Sequence, residues 1–128
     1  MRIAKDAVPA VLQVPGVTMR QQREFGDTNG YGKFSGEYFS LAAGVDTTPL
    51  FKGLEGDLCQ CPHWGFVLKG RITTTDAAGR QEAVATGDLF HWPPGHNVRV
   101  DADAELIMFS PQREHSCVID HLIEKTRG

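Results

Sequence analysis

Cys59, Cys61 and His63 stand two residues apart in the segment CQCPH, and His96 ends the corner PPGH. Side chains alternate across an extended chain, so three residues at this spacing share one face. Pro62 interrupts strict strand regularity there. Two thiols and two imidazoles make a soft donor set, better matched to tetrahedral zinc than to iron or nickel. Held by all four side chains, an ion would be enclosed and structural. Held by three, it would keep a position for water or substrate. Such an ion polarises a carbonyl or activates water. The plainer alternative makes both cysteines buried thiols, behaving as small hydrophobes, with His96 serving the turn. A third reading is redox response through Cys59 and Cys61, which needs a lowered thiol pKa. A disulfide between them is awkward, because side chains two apart on a strand sit poorly for it.

Other residues enter as candidates of lower specificity. His91 titrates near neutrality when unperturbed and is a candidate proton carrier lining a pocket. Trp64 and Trp92 each follow a histidine and are candidate pocket walls, since ligand sites are mostly apolar and aromatic. The alternative for both is ordinary core. Glu37, Tyr38 and Arg99 are polar groups that a pocket could use. His115 and Cys117 lie near the C-terminus and read as surface or helix-packing residues.

These residues need a scaffold of short strands. Fourteen glycines and seven prolines cut the 128-residue chain into short pieces. Residues 33–42 (KFSGEYFSLA) read as a strand whose alternation slips at Gly36, where a bulge is expected. Residues 66–75 (FVLKGRITTT) read as a strand, a break at Gly70, and a second strand rich in β-branched residues. Residues 76–79 (DAAG) are a hairpin turn that returns residues 80–85 onto 71–75. Strands at 88–92, 98–101 and 105–110 complete the series. Many short strands with regular turn signals mean a sandwich or barrel. Residues 118–125 (VIDHLIEK) alone read as helical, with Ile119, Leu122 and Ile123 on one apolar stripe. That helix is expected to cover an open barrel edge. The first 30 residues form edge strands or an arm exchanged with a second copy.

Composition sets outer bounds. Apolar residues make up 41% and charged residues 23%, with a net charge of −3. This fits a globular chain and gives no basic footprint for nucleic acid or a membrane surface. No apolar run approaches the roughly 20 residues of a membrane helix. Residues 1–15 make a poor export signal, and three cysteines make an unpromising disulfide framework, so the expected location is cytoplasmic.

Two stretches resemble the paired motifs of cupins. In DLCQCPHWGFVLKG, residues 57–70, the aliphatic strand ending at Gly70 fits the first motif. In GDLFHWPPGHNV, residues 87–98, Gly87, Asp88, Pro93 and Gly95 match the second. Counting back from Gly70, His63 takes the place of the usual glutamate, and Asp57 and Cys59 take the usual histidine pair. The histidine of the second motif falls at Val98, with His96 two residues earlier and of the same parity. The string CQCPHWG resembles a small, separate subgroup of cupins without an assigned reaction.

The resemblance implies an all-β jelly-roll barrel, a double-stranded β-helix with a short C-terminal helix, spanning 1–128 as one domain with its motif region at 57–111. It also implies that both motifs converge in the barrel mouth, bringing Cys59, Cys61, His63 and His96 together around a divalent metal, with zinc the best match. The protein is then expected to be a metal-binding cupin acting on a small-molecule ligand. The enzymatic version covers lyase, isomerase or dioxygenase chemistry, with His63, His91 or a metal-bound hydroxide carrying protons, since His63 replaces the glutamate and no obvious carboxylate base stands near the motifs. The alternative is a binding or sensing cupin whose metal is structural or absent. Small cupins of this kind imply a homodimer.

Overall fold

A computed structural model describes residues 1–26 and 30–127. The first two strands, β1 (Ala10–Val14) and β2 (Val17–Gln22), form an edge hairpin. β3 (Phe34–Leu41) follows, then the long β4 (His63–Asp76), β5 (Gln81–Ala85), β6 (Leu89–Trp92) and the long β7 (His96–Pro111). Helix α1 (Gln112–Thr126) ends the chain. All strand pairs are antiparallel, in the order β1-β2-β3-β7-β4-β5, with β6 on the first half of β4. Of the N-terminal expectations, edge strands are what residues 10–22 form, and residues 27–29 lie outside the described residues.

The expectation of a bulge at Gly36 is corrected. β3 pairs without a register shift on both sides, Gln22 with Gly36 and Gly36 with Phe109. Its inner face is Ser35, Glu37, Phe39 and Leu41, in strict alternation. Two of those inner positions are polar, which disguises the period. Gly36 is small because the Phe25 ring covers it, 2.9 Å from where a Cβ would lie.

The expected breaks in the two motif strands are corrected in the same way. β4 runs through Gly70, and residues 98–101 and 105–110 belong to one strand, β7. The register between them slips around Lys69 and Arg71, opposite Ala102 to Glu105. Gly70 has φ +96°, and a Cβ there would lie 2.2 Å from the Asp103 carbonyl oxygen. Only glycine allows this backbone approach. The bend has a large consequence. His96 and Ser110 are separated by 14 steps of one strand, about 46 Å if straight. Both nevertheless reach the same side chain, His63. The strand therefore curls to close the barrel.

The core runs along the inner parity of the strands, through Met19, Phe39, Val67, Ile72, Leu106 and Met108. α1 begins six residues before the expected 118–125 and ends one beyond it. Its buried side chains are His115, Val118, Ile119 and Leu122, so it plugs the barrel in addition to covering an edge. Among the described residues, no helix is long and apolar enough to cross a membrane.

Candidate metal centre

His63 is the first residue of β4 and points inward, 3% exposed. Cys59 precedes β4 and is held against the start of β7. Its N–H donates to the His96 carbonyl at 2.8 Å, and its own carbonyl accepts from Gly95 and His96. That clamp places the Cys59 thiol beside both imidazoles. Cys59, His63 and His96 each offer one donor atom, all mutually within 4.8 Å, and all three residues are buried. Cys59 Sγ lies 3.6 Å from His63 Nε2. Sulfur and nitrogen on a tetrahedral zinc ion are separated by about 3.6 Å, given Zn–S near 2.3 Å and Zn–N near 2.0–2.1 Å. The pair already stands at the spacing a metal would require.

The hydrogen bonds fix which ring nitrogens are available. His96 Nδ1 lies 2.8 Å from the Pro93 carbonyl oxygen, which can only accept. The proton is therefore on Nδ1 and the lone pair on Nε2. His63 Nδ1 donates to Ser110 Oγ at 2.6 Å, leaving its Nε2 lone pair toward Cys59. Ligating histidines characteristically tie up their second nitrogen in this way. Burial, then the neighbouring His115, His96 and His91, hold the His63 pKa well below the usual imidazole range. Burial also lowers His96, against the opposing pull of the Pro93 carbonyl. Both imidazoles are thus kept neutral, the form that binds metal. Burial pushes the Cys59 thiol up to about 12.

Cys61 is equally buried but stands apart from this group. Its sulfur sits 3.3 Å from the Pro62 carbonyl oxygen and 3.9 Å from that of Pro111. The shared parity of 59, 61 and 63 does put all three inside. Because β4 begins only at His63, the segment before it is not a straight ladder and the sulfurs do not stack. Burial raises the Cys61 thiol pKa as well.

The two tryptophans separate. Trp92 is 3% exposed and lies edge-on to His63, ring centroids 6.2 Å apart. Trp64 is 44% exposed on the outer face and stacks on His91 at 4.9 Å. His91 is exposed there, and Tyr38 and Arg99 also lie away from the interior.

Two residues of low specificity in the sequence, Glu37 as a candidate pocket group and His115 as a surface or helix-packing residue, meet beside the trio of Cys59, His63 and His96. Glu37 on β3 is buried, and His115 on α1 is buried against it, the helix-packing alternative of its two readings. Glu37 brings a buried carboxylate beside His63, which neither Asp57 nor Asp88 of the motif segments does. Glu37, His63 and His115 form a second group of mutually close donors. The Glu37 carboxylate, however, already accepts from Gln21 Nε2 (2.9 Å), Ser35 Oγ (3.1 Å), Ser110 Oγ and His115 Nδ1. Four donors leave little for a metal, so this cluster supports the first one. The only sequence signal for it was the polar parity of Ser35 and Glu37 within β3. Cys117 is exposed.

A cavity of about 50 Å³ opens beside the trio, walled by Met19, Phe39, Leu41, Leu106, Met108 and Leu122 among others. At roughly 10–15 Å³ per water, it holds about four waters or a ligand of a few heavy atoms. Among the described residues, no lysine or arginine lines it. Trp92 does, and its Nε1 is buried without a hydrogen-bond partner.

Comparison with solved structures places the fold. An RmlC-like cupin from Shewanella frigidimarina is 15% identical, with TM-score 0.59, over 89% of this chain and 93% of that one. A putative ethanolamine utilization protein Q from Salmonella typhimurium gives 12% identity and TM-score 0.59 over 87% and 85%. The polyketide cyclase RemF from Streptomyces resistomycificus gives 21% identity and TM-score 0.57 over 87% and 78%. No protein-family model and no curated protein matches the sequence. The chain has the fold of a small cupin, a mostly antiparallel β-barrel with one C-terminal helix, and it carries residues able to hold a metal ion.

Proposed function

We propose that the protein is a metal-binding cupin, with zinc held by Cys59, His63 and His96 and a position left open toward the cavity. The single observation that carries this reading is the convergence of the three donors, two with their second nitrogen already tied. Three protein ligands are the pattern of catalytic zinc rather than of closed structural sites. Zinc so held supplies Lewis acidity to a bound carbonyl or water. The protein's own residues exclude solvent with α1, orient the two imidazoles and offer Trp92 Nε1 as a donor to the ligand. The apolar walls and lack of cationic residues suit a small neutral ligand and disfavour a dianion. Protein purified without chelator is expected to carry about one zinc per chain by elemental mass spectrometry. A preparation that holds no metal, and takes up neither zinc nor cobalt when offered, overturns the reading.

We further infer that the protein pairs as a homodimer through the outer face of β4, β6 and β7. Trp64, Phe66, Leu68, Leu89 and Phe109 are all at least 36% exposed there, and Leu89 reaches 83%. Trp64 sits opposite Phe109, and Phe66 opposite Leu89, so these residues form one apolar surface. Continuous apolar faces of this kind mark interfaces. Sedimentation velocity should give twice the chain mass, and Phe66→Lys with Leu89→Lys should give a monomer. A wild-type monomer at tens of micromolar would rule this out.

A further inference from the structure

The second polar cluster reaches the metal centre through one hydroxyl. Ser110 Oγ stands between His63 Nδ1 and Glu37 Oε1. The carboxylate accepts, so the single hydroxyl proton of Ser110 is directed to Glu37. Ser110 Oγ is then left as an acceptor, and His63 must be the donor from Nδ1. The state of His63 is therefore decided by a carboxylate one residue removed from it. Left to itself, the ring could carry its proton on either nitrogen, and the partner of one nitrogen settles the other. A proton on Nε2 would point at Cys59 and occupy the lone pair that a metal needs.

The same carboxylate is fixed from three further directions. Gln21 reaches it from β2, Ser35 from its own strand and His115 from α1. Gln21 orients Glu37 without touching His63 or Ser110, Ser35 also donates to the Ser110 carbonyl, and the His115 ring packs directly on His63, centroids 4.4 Å apart. With Ser110 they make four donors, about the full number an ionised carboxylate accepts.

The geometry points to Glu37 as a positioning residue, which acts through Ser110 to hold His63 in the Nδ1–H form and so prepares its Nε2 for metal. This rests on the metal-binding reading, but the tautomer itself is a property of the metal-free protein. Nothing in the cupin motif segments of this chain supplies such a group, since both Glu37 and His115 lie outside residues 57–111.

The test uses the full chain and four proteins: wild type, Ser110→Ala, Glu37→Gln and Gln21→Ala. Nitrogen-15 NMR of the metal-free wild type should show His63 protonated on Nδ1. Ser110→Ala, the mildest change, should move the proton to Nε2 or mix the two forms. Its zinc affinity, by competition with a chromophoric chelator, should fall about 10–100-fold, the usual loss when a partner behind a metal ligand is removed. Glu37→Gln should do the same where it folds. Gln21→Ala, which leaves Ser35, Ser110 and His115 on the carboxylate, should lower the melting temperature while changing the tautomer and the affinity far less than Ser110→Ala does. The inference is overturned if Ser110→Ala keeps both the wild-type tautomer and the wild-type affinity. It is equally overturned if Gln21→Ala loses as much affinity as Ser110→Ala, since the cluster would then be only structural. A wild type that has the Nδ1–H tautomer and yet binds no zinc leaves the positioning role standing and refutes the metal instead.

Discussion

Cys59→Ala is expected to abolish stoichiometric zinc binding, while Cys61→Ala keeps it. The two residues are alike in type, burial and sequence position, so only geometry distinguishes them. Cys59 Sγ lies within ligand reach of both imidazoles, and Cys61 Sγ faces backbone carbonyls of Pro62 and Pro111. Structural zinc sites with four ligands bind with about 10–16 kcal/mol, or roughly 3 kcal/mol per ligand. Losing the single thiolate should therefore weaken zinc by about a hundredfold or more. Cys61→Ala removes a buried sulfur from the core and should cost on the order of 1–2 kcal/mol of stability, with the affinity intact. Cobalt offers a visible check, because a thiolate ligand gives a charge-transfer band that only Cys59→Ala should lose. Equal loss in both variants would mean that the Cys61 thiol turns inward to join the metal, against the arrangement described here.

The fold was legible because its signals are local. Turn residues and β-branched runs mark where strands start and stop, and the Gly70 and PPGH segments resemble cupin motifs. What the sequence misreads is continuity. Gly70 and the stretch Ala102 to Ala104 each look like the end of a strand, yet they face each other across one bend in two unbroken strands. A positive-φ glycine terminates a hairpin in one context and bends a barrel in another, and local chemistry is the same in both. The site was legible to the same extent. That Cys59, His63 and His96 face inward follows from parity, although His96 stands two residues before the motif's histidine position at Val98. Cys61 obeys the same parity, but Pro62 and the late start of β4 break the ladder that parity assumes. Glu37 and His115 could not be paired from sequence, being 78 residues apart and joined only by the docking of α1. Trp64 and Trp92 have the same local context, and the inward position goes to Trp92 because its strand neighbour is the inward His63.

The metal-free protein should be most stable between about pH 6.5 and 9 and lose stability on both sides. On the acid side the relevant groups are His63 and His96. His63 is faced by His115 from α1, by His96 from β7, by Cys59 from the segment before β4 and, through Ser110, by Glu37 from β3. Burial lowers both histidines below their ordinary value. Below about pH 6.5 the unfolded chain takes up protons that the folded chain refuses, so unfolding is favoured as pH falls. Each such histidine contributes about 1.4 kcal/mol per pH unit, and the pair up to roughly 2.7, until the folded values are reached. On the alkaline side the sign reverses with the two buried thiols: Cys59 rises from the model-compound 9.0 to about 12 in the fold, and burial raises Cys61 in the same direction. Above pH 9 the unfolded thiols ionise first, and stability declines by up to about 4 kcal/mol for Cys59 alone across the next three units. These losses are comparable with the whole stability of a small domain, about 5–15 kcal/mol. Urea unfolding from pH 5 to 10 measures both limbs, and a flat profile would contradict the buried neutral state of the trio. Zinc changes the curve in a specific way. It binds the Cys59 thiolate, so the folded state has already released that proton and the Cys59 share of the alkaline limb should disappear, leaving the share of the unligated Cys61. Each bound ion should release about one proton near neutral pH, making the affinity rise about tenfold per pH unit from 6.5 to 8.5.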